Sequence, residues 1–272
     1  MTEKKKRILT YIAAALIVTI PFACNLALKK VHYSVKSDKL MGNVKIAFIS
    51  DLHNSRYGEN MREIVDSVRE YNPDVVVFGG DLYDEYWGEN NADLLVDRLV
   101  SDYRCFYTVG NHEKHTDDAA LKRKMTEKGV IVLENTCYDL EIRGNKLRFT
   151  GLESLLDDEI CEKAFSCVSS EAYNILIDHY PEHFPKLSDK GFDLVLSGHA
   201  HGGQVIIPFV LNGVYAPNQG LFPKYAGGYY SENGTEMIVS RGLHRNVSNI
   251  AIPRVFNRPE LVFVTLEENR QE

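Results

Sequence analysis

Two spacings of apolar residues alternate through the first half of the chain. Short apolar runs at Val44–Ile49, Val75–Phe78 and Cys105–Val109 read as strands, and the unbroken Val75–Phe78 run is what a strand covered on both faces requires. Between the runs, Met61, Ile64, Val65 and Val68 recur at helical spacing over Met61–Tyr71, with Pro73 as the stop, and Ala92–Val100 repeats that period. A polar helix is expected over Asp117–Lys128. The second half is richer in strands: Val130–Leu133, Cys137–Arg143, Lys146–Thr150, Ala172–Ile177, Phe192–Leu196, Val205–Ile207, Met237–Val239 and Leu261–Leu266, with Gly144-Asn145 as a two-residue hairpin turn and a helix over Asp158–Val168. Strand–helix alternation followed by a run of strands predicts an α/β domain over residues 44–272, with two sheets packed together and helices outside.

The start of the chain follows another pattern. Lys4-Lys5-Lys6-Arg7 precedes an uncharged stretch from Ile8 to Leu28, closed by Lys29-Lys30. Roughly twenty apolar residues match a helix that crosses a bilayer. Residues 1–30 are therefore expected to be a transmembrane signal anchor, its basic flank cytoplasmic and the rest of the chain extracytoplasmic on the cell membrane. Residues 31–43 then read as a polar stem. The competing reading is a cleavable signal; Pro21 stands three before Cys24, where a lipoprotein signal carries an aliphatic residue.

Composition narrows the partners. A chain of 272 residues with 44% hydrophobic and 25% charged residues can bury a sizeable core. A net charge of −7 excludes a nucleic-acid binder that works through a basic surface, and no nucleic-acid partner is expected. The 5 cysteines show no C-x-x-C spacing, although Cys161 and Cys167 could pair in an exported domain.

The candidate chemistry lies where apolar runs end. Asp51 and His53, then Asp81, then Asn111 and His112, then His179, and finally His199 and His201 each follow a separate run. One Asp or Asn at a strand end is ordinary turn chemistry, and a His-x-His pair taken alone is more often a loop than a site. Metal-compatible side chains at every one of these ends are not explained by turns, and open α/β sheets bind ligands beyond the carboxyl ends of their strands. Imidazole, carboxylate and amide oxygen together suit Mn, Fe or Zn. Asp51, His53 and His201 can serve one ion, Asn111, His179 and His199 a second, and Asp81 can bridge them. Two ions held about 3.5–4 Å apart clamp the attacking and leaving oxygens of an in-line displacement.

Asp51-x-His53, Gly80-Asp81-x-x-Asp84, Gly110-Asn111-His112-Glu113, His179 and Gly198-His199-Ala200-His201 resemble, in order, the motifs of the calcineurin-like metallophosphoesterases. The basic apolar start and the His199–Gln204 stretch are similar to the membrane-anchored bacterial subgroup named for YkuE and YaeI. The resemblance implies a four-layer α/β/β/α sandwich of two mixed sheets and the dinuclear ligand set above. It also implies that a metal-bound hydroxide attacks a phosphodiester, pyrophosphate or phosphomonoester, with His112 stabilising the transition state or protonating the leaving oxygen. Asp84 is expected to orient His112 or a ligand, and Glu113 to fix its loop. A lipid-precursor pyrophosphatase of the UDP-2,3-diacylglucosamine hydrolase type shares the motifs, and a metal-binding scaffold without catalysis is the reading from another class. An envelope or lipid-linked phosphoester is the expected substrate.

Among the remaining residues, His32, His115 and His183 read as surface residues, and His244 as a local addition to the cleft rim. Arg56 is placed to reach a phosphate oxygen or to serve as a surface charge. Tyr83, Tyr86 and Trp87, with the stretch Pro208–Tyr230, are expected to wall the site.

Overall fold

The computed structural model describes residues 3–8, 10–11, 27–86, 88–153, 158–245 and 253–269. In chain order the elements are β1 (Lys29–Ser37), β2 (Val44–Ile49), α1 (Arg62–Tyr71), β3 (Val75–Phe78), α2 (Asn90–Val100), β4 (Arg104–Tyr107), the single turn α3 (Asn111–Lys114), α4 (Asp118–Glu127) and β5 (Ile131–Val132). Then come β6 (Cys137–Ile142), β7 (Asn145–Leu152), α5 (Asp158–Phe165), β8 (Tyr173–Asp178), α6 (Phe184–Leu187) and β9 (Leu194–Ser197). The short strands β10 (Tyr215–Ala216) and β11 (Gly220–Leu221) precede β12 (Gly228–Glu232), β13 (Thr235–Val239) and β14 (Glu260–Glu268).

The strands form two six-stranded mixed sheets, ordered β1-β14-β2-β3-β4-β5 and β12-β13-β9-β8-β7-β6, beside the β10-β11 pair. Every residue of β3 and β9 is buried, as their apolar sequences demand. Alternate side chains of each strand go to opposite faces. Ile46, Phe48, Val75, Val77 and Phe106 meet Phe149, Ile175, Ile177, Leu194 and Leu196 between the sheets. There the Phe106 and Phe149 rings stack at 4.2 Å. The opposite face of the first sheet packs Val76, Phe78 and Tyr107 against Val65, Val68, Leu95 and Leu99 of α1 and α2. The second sheet packs Leu176, Val195 and Met237 against Ala164, Phe184 and Leu187. Helices thus cover the outer faces, and β2-β3-β4 and β7-β8-β9 are parallel runs that deliver their carboxyl ends to one rim.

Local signals act as expected at several ends. Asn72 closes α1 in the left-handed region before Pro73, and the Asp117 side chain accepts from the Ala120 N–H to cap α4. Four expectations are corrected. The stretch read as a stem supplies edge strand β1, parallel to β14; its alternation of half-buried and exposed residues is that of a strand covered on one face. The hairpin turn is Arg143-Gly144, both at positive φ, because Asn145 pairs with Ile142 and its side chain is committed to Met41 and Ile142. Val205–Ile207 adds no sheet strand; Val205 and Ile207 make isolated bridges to Val255 and Leu211. Cys161 and Cys167 form no disulfide with each other, and Cys167 lies against Cys137 instead.

Among the described residues no helix is long and apolar enough to cross a membrane. The anchor expected over Ile8–Leu28 falls largely on 12–26, outside the described residues.

Candidate metal centre

The loops that leave the rim are locked to one another by their backbones. The Asp51 N–H donates to Gly80 O at 3.0 Å, His53 N–H to Asp81 O at 3.0 Å, and Gly198 N–H to His179 O at 3.1 Å. Asp51, His53, Asp81, His199 and His201 all sit at positive φ, between 45° and 63°. That conformation costs a residue with a Cβ about 1–2 kcal/mol, and such strain persists only where surrounding bonds over-determine it. At Gly198 a Cβ would collide with the Ser50 and Asp51 side chains, and at Gly110 with Asp81, so only glycine lets these loops close on the carboxylates.

Glu113 organises the Asp81 loop from below. Fully buried, it accepts four backbone N–H bonds: from Asp81 at 2.8 Å, Leu82 at 2.7 Å, Tyr83 at 3.1 Å and Gly110 at 2.8 Å. Burial and the neighbouring Asp81 carboxylate push Glu113 up to about 7, against the pull of those donors.

Above this support the polar side chains converge. The Asp81 Oδ1 accepts from His112 N at 2.9 Å, and the Asp51 Oδ1 from His199 N at 2.9 Å. His179 Nδ1 donates to Gly79 O at 2.7 Å, which turns Nε2 to within 3.1 Å of Asp81 Oδ2. His53 Nδ1 donates to Asp84 Oδ2 at 2.8 Å, with Nε2 3.7 Å from Asp81 Oδ2. His201 Nε2 is 3.7 Å from Asp51 Oδ1, and its Nδ1 lies 3.4 Å from Arg254 Nη2. The Asn218 amide lies 3.1 Å from His199 Nε2.

The electrostatics divide the cluster. Burial opposes ionisation of Asp81, yet the His179 and His53 rings hold its carboxyl well below the usual carboxylate range. Burial likewise disfavours the His179 imidazolium, but Asp81 and Asp51 raise it to about 10. For Asp51 burial wins over the imidazoles and raises its carboxyl. His199 is lowered to about 3, by burial and then by His179; His201 is pushed well down, by burial, His53 and Arg254. In this metal-free arrangement the charge that balances Asp81 comes from the His179 imidazolium, a role a bound cation would take over. Asn111 Oδ1 is buried without a hydrogen-bond partner, and Asp81 Oδ2 and His179 Nε2 face each other at 3.1 Å, as ligand atoms of one centre would. Ligand atoms of Asp81, His179 and His199 lie within 4.8 Å of one another, as do those of His53, Asp81 and His112. The donor set fits a divalent transition metal.

Every residue read from the sequence as a ligand lies at this rim. Asp84 bonds His53 rather than His112, whose Nδ1 it approaches only to 3.6 Å. It is a positioning residue for a candidate ligand. The partner of His112 is Glu85, at 2.8 Å, a residue the sequence reading passed over although it adjoins Asp84. Asn257 was also missed; its amide donates to His201 O at 2.7 Å and Gln204 O at 3.1 Å, bracing the histidine loop from more than fifty residues away. His244 is buried against His53, not at the rim's surface. His32 and His115 are exposed, whereas His183 is half-buried and bonds Asp178 at 2.9 Å. Arg56 is exposed and its Nε donates to Gly58 O. Tyr83 is in the core, bonded to Asp93, so it walls nothing; Tyr86 is exposed and Trp87 lies outside the described residues.

The calcineurin-like phosphoesterase family model matches residues 44–203. YkuE of Bacillus subtilis, an uncharacterized metallophosphoesterase, is 30% identical over 231 residues, covering 82% of this chain and 79% of that protein. The phosphodiesterase YaeI of Escherichia coli is 24% identical over 82% of each. The NAD nucleotidase NadN of Haemophilus influenzae shares the fold, with a TM-score of 0.50 at 15% identity over 74% of this chain and 45% of that one. With the rim geometry and these relatives together, the chain belongs to the calcineurin-like phosphoesterase family and is a metal-dependent phosphoester hydrolase.

Proposed function

We propose that the chain is a two-metal phosphoesterase in which Asp51, His53 and His201 hold one ion, Asn111, His179 and His199 the other, and Asp81 touches both. The observation that carries this reading is the convergence on Asp81 of two donor groups, its ligand atoms lying within 4.8 Å of those of His179 and His199 on one side and of His53 and His112 on the other. Two divalent ions of the Mn, Fe or Zn type would polarise a phosphoryl oxygen and bring the pKa of a water toward neutrality. The chain's own groups do the rest. Gly79 O and Asp84 engage the Nδ1 atoms of His179 and His53, so each ring turns its Nε2 toward Asp81. His112, its backbone tied to Asp81 and its ring edge-on to His53 at 4.5 Å, is partly open to solvent. With Nδ1 bonded to Glu85, Nε2 is the ring nitrogen placed to serve the leaving oxygen. The name of the E. coli relative favours a diester.

The test is hydrolysis of bis(4-nitrophenyl) phosphate by metal-defined protein. His112→Asn should lose about 10²–10⁴-fold in rate while keeping both ions. An undiminished rate in that variant, or an equal rate in metal-stripped wild type, would refute the reading.

A lipid-linked substrate, as in a lipid-precursor pyrophosphatase, has one observation in its favour. β1 begins at Lys29, bonded to Pro259 at the start of β14, and β14 runs antiparallel to β2. The residue that follows the apolar Ile8–Leu28 segment therefore lies at the same end of the sheet as Asp51. The loop after His201 exposes Phe209, Val210, Leu221 and Phe222. On this reading the segment anchors the chain, and the rim faces the bilayer. A fluorophore at Phe209→Cys in the full chain, reconstituted in phosphatidylcholine vesicles, should be quenched by brominated acyl chains, whereas one at exposed Glu171 should not. Equal quenching at both positions would sink it.

A further inference from the structure

We propose that His244 is a further ligand of the ion assigned to Asp51, His53 and His201, making that centre a three-imidazole site. The inference rests on the two-ion reading above.

The chain is led to this position by the sheet. β13 ends beside β9, the Ser240 N–H donates to Ser197 O at 2.8 Å, and the Leu243 N–H is shared between Ser50 O at 3.1 Å and Asp51 O at 3.0 Å. The residue after Leu243 is thereby fixed next to the Asp51 loop. Its ring centroid lies 4.6 Å from that of His53 and 5.7 Å from that of His201. One nitrogen from each of the three rings falls within a common 4.8 Å spread.

Two atoms bound to one ion at about 2.1 Å are at most ~4.2 Å apart. Closing from the present spread requires only shifts of about half an ångström, within ordinary rotation of an imidazole about its side-chain bonds. His244 is 6% exposed and its Nε2 is buried without a hydrogen-bond partner. A histidine placed only for packing would bond that nitrogen to a neighbour or to water. The carboxylate that acts on the ring, Asp84, is committed elsewhere, to His53 and to the Tyr86 N–H.

The chemical consequence follows from donor type. A third imidazole adds no charge, so the positive charge offered to a phosphate is undiminished. It adds a nitrogen donor, which moves the centre further toward Zn, Fe or Mn and away from Mg or Ca. It also occupies a coordination position that water would fill, which leaves fewer places for substrate on this ion than on its neighbour.

The experiment titrates metal-free full-length protein with Mn²⁺ by calorimetry and counts bound nitrogens by pulsed electron paramagnetic resonance. His244→Gly should bind one ion as the wild type does and the other at least ~10-fold more weakly, with one nitrogen fewer. Added free imidazole should restore the weak site in His244→Gly and not in His244→Gln, which retains the side-chain volume and guards against a folding artefact. Two ions bound by His244→Gly with wild-type affinity and nitrogen count would overturn this inference alone. A wild type that binds no ion would overturn it together with the two-ion reading.

Discussion

Asp81→Asn is expected to lose both ions and at least ~10²–10³-fold in hydrolysis, and the metal-free protein should unfold more easily near pH 7, because a carboxylate held well below its usual range stabilises the fold above that range. The amide can still accept from the His112 N–H as Oδ1 does now, so the loop keeps its bond. What disappears is the charge that holds His179 up to about 10. In the wild type, with Nδ1 committed to Gly79 O, the proton that gives His179 its charge sits on Nε2, where an ion must bind. Metal loading near pH 7 should therefore release about one proton from His179, and apparent affinity should climb as pH rises toward 10. In Asp81→Asn that release should vanish. Calorimetry in two buffers of different ionisation enthalpy, with elemental analysis for metal content, reads both quantities. An Asp81→Asn protein that retains two ions and the wild-type proton release would exclude the bridging role.

Glu113→Ala is expected to be the most destabilising change near the site, by about 3–5 kcal/mol in urea unfolding, because it strands four buried N–H groups at once. That is a large share of a typical stability of about 5–15 kcal/mol. Glu113→Gln should cost roughly half as much. Its oxygen can keep the Leu82 and Tyr83 donors, while its NH₂ faces the Asp81 and Gly110 N–H groups that need an acceptor. Metal affinity should fall in the same order, since the carboxylate touches no candidate ligand side chain and acts by shaping the Asp81 and Gly110 turns. Equal stability of the alanine variant and the wild type would show that water replaces the carboxylate.

Much of the site could be read in one dimension because the chemistry is placed by a rule the chain repeats. An apolar run ends, and a ligand-type side chain follows within a few residues, as at Ile49 before Asp51 and Phe78 before Asp81. Parallel strands carry every such end to one rim, so a list of run ends is nearly a list of neighbours. The failures have equally definite causes. Gly144-Asn145 is the better turn dipeptide by composition, yet the turn falls on Arg143-Gly144, because Met41, far away in sequence, uses the Asn145 amide. The polar residues of Lys29–Ser37 hid a strand because an edge strand buries only one face.

The sequence by itself determined the apolar strands, the helices packed on them and the identity of the ligand-type residues, because each rests on local periodicity or on a side chain's intrinsic chemistry. Tertiary structure alone decided which imidazole nitrogen turns toward Asp81, through Gly79 O and Asp84. It also decided that Glu113 is a backbone anchor, that Glu85 rather than Asp84 holds His112, and that His244 lies against His53. These are relations between residues brought together by sheet pairing, and no residue's own chemistry specifies its partner across such distances.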